Sequence, residues 1–261
     1  MPPASANTSS RTGKNTSPEP GIFDEMMFKP PKVKLCGTTR KQDIDVAAQA
    51  GVDFFGVIIE VPESKRTLTK DQAAELFRNA PIPGVALVRN REPDYIIKMA
   101  ELLHPFAIQL VGKEGPELVR ELKSLVDVQI WNSLYIPAGQ KAGDLESELK
   151  EMIEAYTLAG ADALLVDTVD TSGRVRKYGG TGKTGDWETV ARIRPLVKPF
   201  FFLSGGLRPE NVAEAIRRVR PDGIDLASGV EKAPGIRDPD KVKRLMNEVL
   251  RISGESEGPG G

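Results

Sequence analysis

Apolar residues recur along the chain in short runs, each closed by a glycine, proline or polar turn. The runs are Val33 to Cys36, Phe54 to Val61, Val85 to Val88, Phe106 to Val111, Val128 to Leu134, Ala163 to Val166, Phe200 to Leu203 and Gly223 to Ala227. Each is short and followed by a helix-like segment, which reads as strand, turn, helix. Between them apolar positions fall three and four apart, and the intervening stretches carry helix-start signals. Thr38 or Thr39 can cap a helix through Ile44, Ala47, Ala48 and Ala50. Thr69 and Gln72 have capping-box spacing before Leu76 and Phe77, and Pro93 and Pro116 suit a first helical position. Asp144 to Leu158 is the longest helical stretch. Asp186 can cap a helix holding Trp187, Val190 and Ile193, Pro209 to Val219 follows, and Asp238-Pro239 opens the last helix.

Eight strand-then-helix units therefore fill residues 32–251 with no linker between them. That is the count for a closed (β/α)8 TIM barrel, an α/β fold with a single core. An open doubly wound sheet is the competitor, but it usually has fewer strands and one switch-point site. Residues 1–30 are rich in Ser, Thr, Pro, Asn and Gly and read as a flexible, disordered N-terminal extension. The tail lacks the apolar core of a secretory signal, and its scarcity of acids keeps an organellar transit peptide as an alternative. The barrel domain is expected over 31–252, with a short flexible tail at 253–261.

Composition narrows the function. The chain has 261 residues, 39% of them hydrophobic, enough for a sizeable core. Its formal net charge of −1 gives no reason to expect nucleic acid or a membrane as partner, so any anion site must be local. No apolar run reaches the ~20 residues of a membrane span, so the chain reads as soluble, and its lone cysteine fits a reducing, cytoplasmic compartment. Cys36 is the only cysteine and His104 the only histidine, which excludes an intrachain disulfide and makes a metal site improbable.

Three glycine-bearing turns follow the last three strands: Gly179-Gly180-Thr181-Gly182, Ser204-Gly205-Gly206 and Ser228-Gly229. Glycine admits close backbone approach, and a helix start offers unpaired N–H groups at a positive dipole end, so a phosphate suits these turns. Tight strand-to-helix turns alone would also call for glycine. Barrel chemistry lies at the C-terminal ends of strands. Cys36 ends the first strand and Asp167 the sixth. Lys34 shares a face with Cys36, where its charge would favour the thiolate. A small buried cysteine and a turn-bracing aspartate are the plain alternatives.

Lys34-Leu35-Cys36-Gly37 with Thr39-Arg40, Leu165-Val166-Asp167, Gly179 to Thr184 with Asp186-Trp187, Ser204-Gly205-Gly206-Leu207 with Pro209 to Val212, and Ser228-Gly229-Val230-Glu231 together resemble the phosphoribosylanthranilate isomerase family of tryptophan biosynthesis. The resemblance implies an aldose-to-ketose Amadori rearrangement of N-(5-phosphoribosyl)anthranilate without metal or cofactor. It implies that Asp167 is the acid that opens the furanose ring and Cys36 the base at the sugar's second carbon. Those roles demand a raised carboxyl and a lowered thiol. Arg66 matches the family's arginine for the anthranilate carboxylate, and Gly182, Gly205, Gly206, Ser228 and Gly229 match its phosphate donors. The partner implied is a small sugar phosphate, taken by a monomer or homodimer.

The chain departs from the family where Val111 replaces a frequent histidine, Gly185 a frequent aromatic and Lys65 a frequent proline. His104 does not replace the histidine by spacing. A phosphate-loop NTPase fails because Lys177 stands where a glycine is required five positions before Gly182. A histidine-pathway aminoaldose isomerase typically carries aspartate at the position of Cys36. A non-catalytic sugar-phosphate-binding barrel would share the glycine turns.

Overall fold

The computed structural model describes residues 29–137, 142–170, 177–178 and 187–254. The expected tails and the glycine turn around Gly182 fall almost wholly outside these residues, as do Asp186 and Gly185.

Eight parallel strands form the predicted closed ring. They are β1 (Lys32–Leu35), β2 (Phe54–Ile59), β3 (Gly84–Val88), β4 (Ala107–Leu110), β5 (Gln129–Pro137), β6 (Ala163–Asp170), β7 (Phe200–Leu203) and β8 (Gly223–Leu226). Each pairs with the next, and β1 closes the ring by pairing with β8, Lys34 opposite Asp225, and with β2, Leu35 opposite Phe55. Among the described residues, eight α-helices alternate with them: α1 (Lys41–Gln49), α2 (Lys70–Phe77), α3 (Pro93–Leu103), α4 (Pro116–Leu125), α5 (Ala142–Leu158), α6 (Trp187–Ile193), α7 (Val212–Val219) and α8 (Pro239–Ser253).

Strand alternation divides the buried residues into two sets. Val33, Leu35, Phe55, Val57 and Val88 face outward into the layer shared with the helices. Val85, Leu87, Ala107, Trp131, Ala163, Leu165 and Phe202 fill the ring itself. Its lower end is packed by aromatics, with Trp131 and Phe202 at 4.9 Å and Phe54 and Phe106 at 5.2 Å between centroids. Sites therefore belong to the opposite rim, where the strands end.

The helix starts obey the sequence at α2, where Thr69 and Gln72 complete the capping box, and at α3 and α4, each opened by proline. Asp238 caps α8 with its carboxylate on the N–H groups of Asp240 and Lys241. The cap expected for α1 is different. Arg40 occupies that position without a side-chain cap. The two threonine hydroxyls are drawn elsewhere, Thr38 Oγ1 to Leu35 O and Thr39 Oγ1 to Gly235 O at 2.7 Å.

Two differences shape the rim. β5 and β6 run further than their apolar runs suggested, pairing through Tyr135 with Asp167 and Pro137 with Val169. Asp167 thus lies inside its strand, not at its end. After β8 the chain forms an antiparallel ribbon, Glu231–Ala233 against Ile236–Arg237, before α8.

Candidate active site

Cys36 follows β1 and is fixed from both sides through its backbone. Its N–H donates to Leu226 O at 2.7 Å, and its carbonyl accepts from Arg237 Nη2. The half-buried side chain packs against the apolar cluster that fills the ring and opens onto a cavity of about 880 Å3 at the strand ends. Asp167 lines the same cavity from β6, which lies three strands away through β8 and β7. The pair predicted from sequence therefore shares one chamber.

The electrostatics under Cys36 differ from expectation. Lys34, fully buried, places Nζ 3.0 Å from Asp225 Oδ2. Burial alone would lower the ammonium, yet Asp225 and Cys36 beside it hold it above its ordinary value. Asp225 itself is raised by burial, against Lys34 and Arg237. The thiol is pushed up to about 11 by its burial; Lys34 pulls it down, Asp225 pushes it up, and Arg237 and Arg66 pull it down. Lys34 thus acts in the anticipated sense, but its charge is shared with Asp225 and burial prevails. The lowered thiol expected from Lys34 is not found.

Asp167 is half-buried and stands in register with Tyr135. The Tyr135 hydroxyl donates to Val111 O at 2.7 Å, and burial and the Asp167 charge both raise it. Val111 is therefore an apolar wall whose backbone anchors the tyrosine next to the acid. His104 is exposed in a left-handed C-cap of α3, a helix end on the far side of the ring from the strand ends. It has no part in this chamber.

Arg66 reaches the chamber from the loop after β2, and the shape of the first turn makes room for it. Gly37 has φ +75, and a Cβ there would collide with Arg66 Cδ, so the arginine stem lies across the turn that follows Cys36. Its fork is taken by Glu231, with Nε to Oε1 at 2.8 Å and Nη2 to Oε2 at 2.6 Å. Glu231 is buried and also accepts from Gly235 N at 3.0 Å and meets Arg237 Nη1 at 3.4 Å. Arg237 is 1% exposed and donates to Ala227 O, Thr38 Oγ1 and the carbonyl of Cys36. A continuous charged chain thus runs from Arg66 to the backbone of the cysteine.

Of the phosphate candidates, Gly205, Gly206 and Ser228 line the main chamber. Gly229 lines an adjoining recess of about 340 Å3 with Arg208 and Lys241. Its missing side chain has a second reason, because a Cβ there would strike the Leu207 carbonyl. Gly182 lies outside the described residues.

Arg237, Asp225 and Tyr135 escaped the sequence reading, and Glu231 stood in its last motif without a role. Asp225 had a signal, since a charged residue interrupts the apolar run from Gly223 to Ala227. Arg237 had none, because a single arginine before a helix cap reads as solvated.

Residues 33–248 match a family model described as N-(5'phosphoribosyl)anthranilate (PRA) isomerase. The N-(5'-phosphoribosyl)anthranilate isomerase of Methanopyrus kandleri is 35% identical over 226 residues, covering 85% of this chain and 99% of its own. The crystal structure of phosphoribosyl anthranilate isomerase from Thermotoga maritima has a TM-score of 0.72 at 30% identity and covers 85% of this chain and 99% of that one. A solved structure of such an isomerase with reduced 1-(o-carboxyphenylamino)-1-deoxyribulose 5-phosphate has a TM-score of 0.68 at 28% identity, with the same coverage.

Proposed function

The chain belongs to the phosphoribosylanthranilate isomerase family, and from that premise we propose that Asp167 and Cys36 are the acid and base of its reaction. The activity is the isomerisation of N-(5'-phosphoribosyl)anthranilate in tryptophan biosynthesis. Membership sets aside the aminoaldose isomerase of histidine biosynthesis and the non-catalytic barrel. What supports the residue roles is one observation: the thiol and the carboxyl line a single chamber that also takes in Arg66, Gly205, Gly206 and Ser228.

Asp167, protonated, gives its proton to the furanose ring oxygen as the bond from the first carbon to that oxygen breaks, leaving a Schiff base. Cys36, deprotonated, takes the proton from the second carbon, and the electrons of that C–H bond move through the first carbon onto nitrogen. The resulting enolamine relaxes to the ketone. This adds a proton at the first carbon and removes one from the enol oxygen, so it can restore both groups. Arg66 faces the anthranilate carboxylate, and Gly205, Gly206 and Ser228, with Gly229 beside them, face the phosphate. The carboxyphenyl and phosphate groups named in the relative's complex are the two anions such a layout would receive.

No helix among the described residues is long and apolar enough to cross a membrane, and the cytoplasm, where a lone thiol stays reduced, is the place we assign to it. The test is fluorescence loss of phosphoribosylanthranilate by the purified protein and by Cys36→Ala and Asp167→Asn. Turnover by the parent and its loss in both variants is expected; a variant retaining activity within a factor of a few contradicts its role.

A further inference from the structure

We infer that Glu231 is a positioning residue that holds the Arg66 fork against the wall and so sets the enzyme's preference for an anionic group on the aromatic amine. The inference rests on the reading that Arg66 faces the anthranilate carboxylate.

Glu231 does not depend on Arg66 for its own place. Gly235 N–H and Arg237 Nη1 hold its Oε1, and Lys241 Nζ holds its backbone oxygen at 2.9 Å. Arg66, by contrast, comes from a loop and has a long flexible side chain. Left alone, such a side chain would lose several rotatable bonds of freedom each time it gripped a ligand. The bidentate contact with Glu231 removes that freedom beforehand. Two of the three guanidinium nitrogens are committed to Glu231, and Nη1 has no partner among the described residues.

Exposure says where Nη1 is offered. Arg237 is 1% exposed, whereas the Arg66 side chain is 16% exposed and lines the chamber, so the uncommitted N–H groups of the Arg66 fork are offered there. A carboxylate on the aromatic amine can accept from them, and a neutral aromatic amine cannot.

The experiment compares kcat/KM for phosphoribosylanthranilate with that for N-phosphoribosylaniline, which lacks the carboxylate. Any disturbance that reaches Cys36 through Arg237 affects both substrates and cancels in the ratio. Glu231→Gln should lower the anthranilate-to-aniline ratio by about tenfold, and Glu231→Asp, which keeps the charge but draws it back, by about threefold. Arg66→Ala should bring the ratio close to one, with Glu231→Gln adding nothing in that background. An unchanged or raised ratio in Glu231→Gln overturns the inference: unchanged with lowered rates on both substrates leaves Glu231 a structural residue, and raised shows that it competes with the ligand for Arg66. If Glu231→Gln does not fold, an unchanged ratio in Glu231→Asp does the same. An unchanged ratio in Arg66→Ala overturns instead the carboxylate role of Arg66.

Discussion

Lys34 Nζ lies 3.0 Å from Asp225 Oδ2 in the buried interior of the ring, so the ammonium nearest the Cys36 thiol is already shared with a carboxylate. The thiol is consequently raised to about 11 rather than lowered. At pH 8 only about one thiol in a thousand is then ionised, and the base is available in small fraction.

Alkylation measures this directly, because Cys36 is the only cysteine. The rate of iodoacetamide labelling should climb with pH beyond the ordinary thiol value of 9.0 and reach its midpoint at about 11. A midpoint at or below 9 contradicts the account. The same shift has a sign in stability: the native state keeps its proton while the unfolded chain loses it. Stability from this group is full below pH 9 and is lost from 9 towards 11. The melting temperature should fall across that window more steeply in the parent than in Cys36→Ala.

Asp225→Asn removes the carboxylate that pushes the thiol up and leaves Lys34 to act on Cys36 without a competitor. The labelling midpoint should move down from about 11. Breaking a buried pair by deleting one partner typically destabilises by ~3–5 kcal/mol, so the denaturant midpoint should drop as well. A midpoint that rises would reverse the assigned sign of Asp225.

Cys36→Ala and Asp167→Asn should each lower kcat by about 10² to 10⁴ while leaving the circular dichroism spectrum unchanged. Combining them should lower it no further than the worse single change, since the acid and base serve one sequence of proton transfers. Fully multiplicative losses would argue instead that the two groups act together in one rate-limiting step.

Gly37→Ala forces a Cβ into Arg66 Cδ and into an unfavourable φ of +75. The strained backbone should cost ~1–3 kcal/mol, read by denaturant unfolding. Because the collision displaces the Arg66 stem, KM should rise more than kcat falls. An unaltered KM would show that Arg66 does not depend on this turn.

The ring was legible because a parallel barrel strand is buried on both faces and leaves a continuous apolar run, and because α2, α3, α4 and α8 carry local start signals. Cys36 was placed correctly at the end of β1 by the same logic. Asp167 reads as a strand end because the apolar run stops at Val166; its strand continues by backbone pairing with β5, which side-chain polarity does not report. The cap of α1 failed for a related reason, as Thr38 and Thr39 are held by partners distant in sequence or outside the helix. The charge on Lys34 reads as free from the sequence because its neutraliser, Asp225, lies 191 positions away. Glu231 and Arg237 are joined to Arg66 and Cys36 only by the ribbon after β8, which has no periodic signature.

The tilted and edge-to-face rings of Phe54, Phe106, Trp131 and Phe202 make the barrel a cup rather than a tube. A molecule that enters from above has no second exit below. Ketose product must leave by the doorway through which the next aldose arrives, so the two contend for one berth, and accumulated product should slow the enzyme as a competitive inhibitor.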